Sequence, residues 1–339
     1  MLTSCKITEG GKKQKETIQP RSVTYYEYFD TQSIVFDFGT GSEENFTAVT
    51  EKVRNMLSEY HKLYDIYHDY SGINNITTIN DNAGIAPVSV DARIIDLLKF
   101  SVQAHELTGG ETNVMMGAVL KLWHGARAGD KDGNHILPTA EQLLIASTHT
   151  SISSLVIDET AGTVYISDPD ASLDVGAIAK GYATEKIAEA LVANASLSTD
   201  GFALNIGGNI RIIGSKRGEN FEIGIQNPDK SSPEPYVAMI GVRNTSIVTS
   251  GDYERTFTVN GKSYHHVIDK DTLQPSTYFH SVTVVTQSSA LADALTTALF
   301  SMHINDGYAL VESMSGVEAM WVGTNGTTVK SSGFPEISE

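Results

Sequence analysis

"SLDVGAIAKGYATEKIAEALVANASLSTDGFALNIGGNIRIIGS", residues 172–215, carries both kinds of structure that decide the fold. Its first part reads as a helix from near Ala177, with Ile178, Tyr182, Ile187 and Leu191 on a core-facing side. From Phe202 it turns into β sequence that continues through "FEIGIQNP", "YVAMIGVRNTSIVTSG", "YERTFTVNGKSYHHVID" and "SVTVVTQ". Helices followed by a long run of strands specify an α+β body: one compact unit, a mostly antiparallel sheet and helices packed on it.

Gly176 stands at the entry of this helix and Gly181 within it, and a glycine costs roughly 1 kcal/mol in a helix interior. One reading is that Asp174 and Gly176 form a lead-in turn whose free N–H groups receive phosphate, with Lys180 reaching the same place. Gly181 then permits close approach of a ligand or another backbone. The other reading is a helix with two tolerated glycines and a solvated lysine. The stretch lacks the glycine spacing and Lys-Ser/Thr pair of a Walker loop, and the strand-Gly-x-Gly-x-x-Gly order of a dinucleotide fold.

Outward from this stretch, "SVTYYEYFD" and "TQSIVFDFG" form a hairpin, and Glu43 to about Tyr67 keeps the three-and-four spacing of a long helix. A loop with "GINN" and "NDNAG" leads to a helix from Asp91 to Leu107. "TGGETNVMMGAVLKLWHG" is a loop entering a helix, Glu141 to Ser147 a short helix, and "SLVID" and "TVYISD" two short strands. Asn260-Gly261 sets Arg255–Val259 antiparallel to Lys262–Val267. "ALADALTTALFSM" is a buried helix, followed by another helix, a strand and a hairpin at Asn325-Gly326.

The 339 residues carry a formal charge of −17, which excludes a broad nucleic-acid or anionic-lipid surface. An anionic ligand must therefore be met locally, by a lysine, an arginine, a helix N-terminus or a cation. No apolar run approaches the ~18 residues of a membrane span. Cys5 is the single cysteine, so an intramolecular disulfide or thiolate cluster is excluded. "LTSC", Leu2–Cys5, matches the lipidation site of bacterial lipoprotein signal peptides, or else is a chance tetrapeptide. "KITEGGKKQKETIQP" after it reads as a polar tether over residues 1–20, with the folded domain over 21–335.

Two further constellations carry chemistry. Asp293 and Thr297, at i and i+4, put a carboxylate and a hydroxyl on one face of an apolar helix. They read either as hard ligands for Mg²⁺ with a cation partner, or as an acid near a helix N-terminus stabilised by the dipole. In "TSGDYERTF" and "YHHVID", the adjacent His265 and His266 point to opposite faces if they lie on a strand, so one imidazole faces the site. That imidazole is suited to proton removal near neutral pH, or is structural.

In order, "LDVGAIAKGYA", "LNIGGNI", "TSGDYER", "HHVID" and "ADALTTAL" resemble the signature series of the ApbE-type FAD:protein FMN transferases. "HKLYDIY" and "GAVLKLWH" extend the resemblance from about Val23 to Gly333. It implies Mg²⁺-dependent transfer of the FMN half of FAD to a Thr or Ser hydroxyl of an acceptor protein, releasing AMP. By motif, Asp174 and Lys180 contact FAD, and the Ala177 carbonyl joins Asp293 and Thr297 around Mg²⁺. His266 is the base, Ser250, Asp252 and Ile268 lie near the nucleotide, and Asn113 and Met115 touch the flavin. Many members are exported lipoproteins, which implies an extracytoplasmic enzyme held to the membrane through a lipid on Cys5, its signal peptide missing from the chain as given. FAD hydrolysis to FMN and AMP, or non-catalytic flavin binding, are the alternatives. The chain departs from the family pattern at "ETNVMMG", where many members have an Asp, and at "HHVIDKDTLQP", where Lys270 replaces Pro and Leu273-Gln274 a Gly turn.

Overall fold

The computed structural model describes residues 20–39 and 41–337. The expected tether, apart from Pro20, and the lipidation site at Cys5 lie outside the described residues. β1 (Arg21–Tyr28) and β2 (Thr31–Asp37) form the expected hairpin across Phe29 and Asp30, both at positive φ. α1 (Glu43–Tyr64) stops three residues earlier than its apolar periodicity suggests. The Asp65 carboxylate takes the Tyr67 N–H at 2.7 Å and its carbonyl takes the Thr77 N–H at 3.1 Å, so a turn displaces the last helical hydrogen bonds.

The segment read as a loop contains α2 (Ile76–Asp81), made possible by a capping box between Asn75 and Thr78. After β3 (Val88–Ser89) come α3 (Ala92–Leu107), a 3₁₀ turn at Val114–Met116, α4 (Gly117–Ala128) and α5 (Ala140–Ser147). β4 (Leu155–Asp158) and β5 (Thr163–Ile166) precede α6 (Ala179–Val192). Then follow β6 (Phe202–Ile206), β7 (Asn209–Ile213), β8 (Phe221–Gln226), β9 (Tyr236–Val242), β10 (Ser246–Gly251), β11 (Phe257–Val259), β12 (Lys262–Tyr264) and β13 (Phe279–Thr286). α7 (Ser289–Ser301), α8 (Ile304–Glu312), β14 (Val317–Gly323) and β15 (Thr328–Lys330) close the chain.

Eight strands form one sheet in the order β1-β2-β6-β7-β10-β13-β14-β15, every ladder antiparallel. Its central strands are apolar on both sides because both sides are covered. On β10 and β13, Val248, Val282 and Val284 pack with Leu295, Leu299 and Phe300 of α7, whereas Ile247 and Val285 pack with Ile223 and Ile240 of the β8–β9 ribbon. That ribbon is a separate two-stranded sheet, so the β run of the sequence does not build one continuous sheet. β6 and β7 join through Gly207 and Gly208 at φ 57° and 91°, the twist a two-residue hairpin needs.

The hairpin at Asn260-Gly261 is present but shorter than its sequence implies, pairing Phe257–Val259 with Lys262–Tyr264. Arg255 cannot begin the strand, because it stands at φ 48°. His265 leaves the ladder: its Nε2 is 2.7 Å from the Ser276 carbonyl, and its Nδ1 accepts from Val267 N–H. The strand argument for the two imidazoles therefore rests on backbone that is not strand. Among the described residues no helix is long and apolar enough to cross a membrane.

Candidate active site

A cleft of about 1860 Å³ opens between these layers, larger than the roughly 300–1,000 Å³ of most small-ligand pockets. Asn113, Asp174, Ala177, Lys180, Ser250, His266, Ile268, Asp293 and Thr297 all line it, although the sequence separates them by up to 184 positions (297 − 113). Two of the residues named from sequence do not line it. Met115 is fully buried in the main core, since the 3₁₀ turn capped by Asn113 rotates it inward. Asp252 pairs with His280 at 2.6 Å.

The polar floor comes from the starts of α6 and α7. Asp293, 3% exposed, accepts the Gly181 N–H on Oδ2 at 2.8 Å. Among the described residues its Oδ1 has only longer contacts, to Asn209 Nδ2 at 3.4 Å and Lys180 Nζ at 3.5 Å. Thr297 stands one turn on, its hydroxyl 3.4 Å from the Asp293 carbonyl. Asp174 holds the lead-in turn by accepting the Gly176 N–H at 2.9 Å.

Of the two readings of Gly181, close approach of a ligand or of another backbone, the structure bears out the second. Gly181 is buried against α7: a Cβ there would stand 2.4 Å from both Asp293 Cβ and the Ser289 carbonyl oxygen. Helix–helix approach requires it, whereas Gly176 does line the cleft. Gly181→Ala gains about 1 kcal/mol of helix propensity but meets atoms that cannot rotate away, and overpacking of this kind costs roughly 1–3 kcal/mol or more. Because the atoms met are a backbone carbonyl and a Cβ, the cost falls at the upper end of that range and the expected outcome is a net loss of about 2 kcal/mol in urea denaturation; unchanged stability would contradict the contact.

His266 sits across from Lys180 in the same cleft. Its Nδ1 is 3.3 Å from the Glu254 carbonyl, an acceptor only, so Nδ1 carries the proton and Nε2 keeps its lone pair. Burial, then Arg255 and Lys180, push its pKa down to about 3. The imidazole is therefore neutral at pH 7.

Sequence reasoning assigned no roles to the aromatic and acidic wall. Tyr70 donates to Asp65 at 2.7 Å and lies 3.3 Å from His61 Nε2, while Tyr67 lies 3.1 Å from His124 Nδ1. His124 Nε2 in turn is 3.6 Å from Asp174. Burial pushes the His124 pKa down against the opposing pull of Asp174. The density of Tyr, His and Asp in "HKLYDIYHDY" was the available signal. At the family-divergent loop, Lys270 turns back to Glu111 at 3.3 Å and Asp271 at 2.8 Å, and Leu273 takes φ 57°, the conformation for which a glycine is suited.

Elsewhere, His149, Asp168 and Asp170 bring ligand atoms within 4.8 Å of one another, but none of them lines the cleft. Among the oxygen groups that line the cleft, the Asp293 carboxylate with its under-used Oδ1 and the Thr297 hydroxyl are of the kind that suit a hard divalent cation.

The profile of the ApbE family matches residues 23–321. The chain is 32% identical to a FAD:protein FMN transferase of Treponema pallidum over 287 residues, covering 81% of this chain and 77% of that protein. It is 28% identical to one from Klebsiella pneumoniae, covering 84% and 85%. Among solved structures, an ApbE protein of Thermotoga maritima superposes with a TM-score of 0.80 at 26% identity, covering 93% of this chain and 98% of that one.

Proposed function

The chain belongs to the ApbE family, and on that premise we propose that it is a flavin transferase that moves the FMN half of FAD to a Thr or Ser hydroxyl of an acceptor protein, releasing AMP. The observation that carries the reading is the convergence in one large cleft of an oxygen donor set, a lysine and a neutral imidazole with a free Nε2. Asp293, Thr297 and the Ala177 carbonyl would hold Mg²⁺, which when bound supplies charge neutralisation and polarisation of the pyrophosphate oxygens. Lys180 adds positive charge beside Asp293, and Arg127, Arg255 and Lys230 line the same cleft. These cations meet the diphosphate locally, in a protein whose overall charge repels it.

In the proposed reaction the acceptor Oγ attacks the flavin-side phosphorus. The Oγ–P bond forms, the P–O bond to the adenylate breaks, and the bridging oxygen leaves with AMP. His266 Nε2 takes the hydroxyl proton. FAD binding raises the proton affinity of His266, because the diphosphate opposes the Arg255 and Lys180 charges that lower it. We also propose that the protein works outside the cytoplasm, anchored by a lipid on Cys5. Chromatography of the small molecules tests the reaction: AMP equal to acceptor consumed, without matching free FMN, is expected. Equal AMP and FMN with unmodified acceptor would mean hydrolysis.

A further inference from the structure

Glu185 does not line the cleft and has no part in the reaction above, yet its charge is largely withdrawn from solvent, with its side chain 13% exposed. Its Oε2 accepts the backbone N–H of Ser289, the first residue of α7, at 2.6 Å. The Arg211 guanidinium, 11% exposed, approaches it at 3.7 Å. One turn away the bond runs in the opposite sense, Gly181 N–H of α6 donating to Asp293 of α7. Glu185 follows Gly181 by four residues and Asp293 follows Ser289 by four, so the antiparallel helices hold each other by two reciprocal carboxylate-to-amide bonds about 6 Å apart along the axis. Gly181 brings the backbones close enough for both.

We propose that Glu185 is a positioning residue that fixes the axial register of α7 against α6 and thereby presents Asp293 to the cation. A buried ion pair is a poor way to gain stability, since apolar residues of similar volume often serve as well or better. Its geometry here accounts for its presence. The Ser288 cap of α7 accepts from Leu291 N–H at 3.3 Å, a longer bond that fixes the helix start without tying it to α6. The Glu185 bond ties the start of α7 to the helix that carries Lys180 and Gly181. With it broken, the polar ties left between the helices are those of Asp293 itself, to Gly181 N–H and Lys180 Nζ.

The inference rests on the magnesium reading, and the test separates the two. Melting temperature is followed through a MgCl₂ titration without FAD, beside transfer rate against MgCl₂. Four variants are compared: Glu185→Gln, Glu185→Ala, the pair Glu185→Leu with Arg211→Met, and Asp293→Ala. Glu185→Ala and the Leu/Met pair are expected to raise half-saturating MgCl₂ about tenfold or more in both readouts, the scale at which residues behind a metal ligand act. Glu185→Gln, which keeps an acceptor for Ser289 N–H, should stay close to the parent. The Leu/Met pair leaves no unpaired buried charge, so it stays informative if Glu185→Ala fails to fold. Asp293→Ala should lose the magnesium-dependent shift; if it keeps the shift, the magnesium reading itself fails. If Asp293→Ala loses it while the folded Leu/Met pair binds magnesium as the parent does, Glu185 does not position the site. A Gln variant as impaired as the Leu/Met pair also overturns the proposal, because charge would then matter and the clamp would not.

Discussion

Asp293→Ala is expected to reduce flavin transfer by about 10³-fold or more while the protein still folds cooperatively, because bound metal contributes several kcal/mol to such a transition state and each 1.36 kcal/mol is tenfold in rate. Asp293 supplies the carboxylate of the proposed donor set, and its Oδ1 has only contacts of 3.4 and 3.5 Å to give up. The substitution also strips the Gly181 N–H of its partner, a loss of roughly 1–3 kcal/mol in stability. Asp293→Asn separates the two effects, since the amide oxygen can still accept from Gly181. Asn is therefore expected to restore most of the stability and little of the activity. A variant at Asp293 with full transfer at saturating FAD would remove the cation from this cleft.

His266→Ala is the second large effect, a slowing of single-turnover transfer by about 10²–10⁴-fold with FAD affinity nearly unchanged. His265→Ala acts on stability, because that side chain is 8% exposed and anchors the Ser276 carbonyl at 2.7 Å. The pH dependence has a definite sign. With its folded pKa near 3 and an ordinary value of 6.5, His266 resists protonation in the folded state. As pH falls below 6.5 the unfolded chain takes up a proton that the folded chain refuses, so stability is lost towards pH 3. His266→Asn should be less acid-sensitive than the parent across that window in melting curves. In catalysis, kcat/KM reports the free enzyme and kcat the FAD complex, so the acid limb of kcat should lie at higher pH than that of kcat/KM. Coincident limbs, or a His266→Ala variant that loses only affinity, would assign the proton to another group.

The readings that held were those set by local physics. The period of α1, the positive-φ turn at Asn260-Gly261 and the buried apolar run of α7 are each fixed within a few residues of sequence. What stayed hidden depends on distant partners. β8 and β9 are as strand-like as β10, and only their packing over Ile212, Ile247 and Val285 removes them from the main sheet. Gly181 was legible as a point of close approach, but nothing in α6 says that the approaching backbone is α7, 2.4 Å from its missing Cβ. Met115, expected to touch the flavin, lies in the main core, a placement set by the 3₁₀ turn that Asn113 caps and not suggested by the loop expected there. Asp65, Tyr70 and His61 come together through a turn after α1 that interrupts the helical pattern, so periodicity pointed past them.

The central claim is that this cleft joins flavin to protein. It is tested most directly by incubating the full chain with FAD, MgCl₂ and an acceptor domain bearing a threonine flavinylation motif, then reading flavin fluorescence in a denaturing gel. The account predicts a fluorescent acceptor band that survives denaturation, disappears with EDTA and is absent when the acceptor threonine is replaced by alanine. Consumption of FAD to free FMN and AMP, with the acceptor dark under every condition, would contradict it.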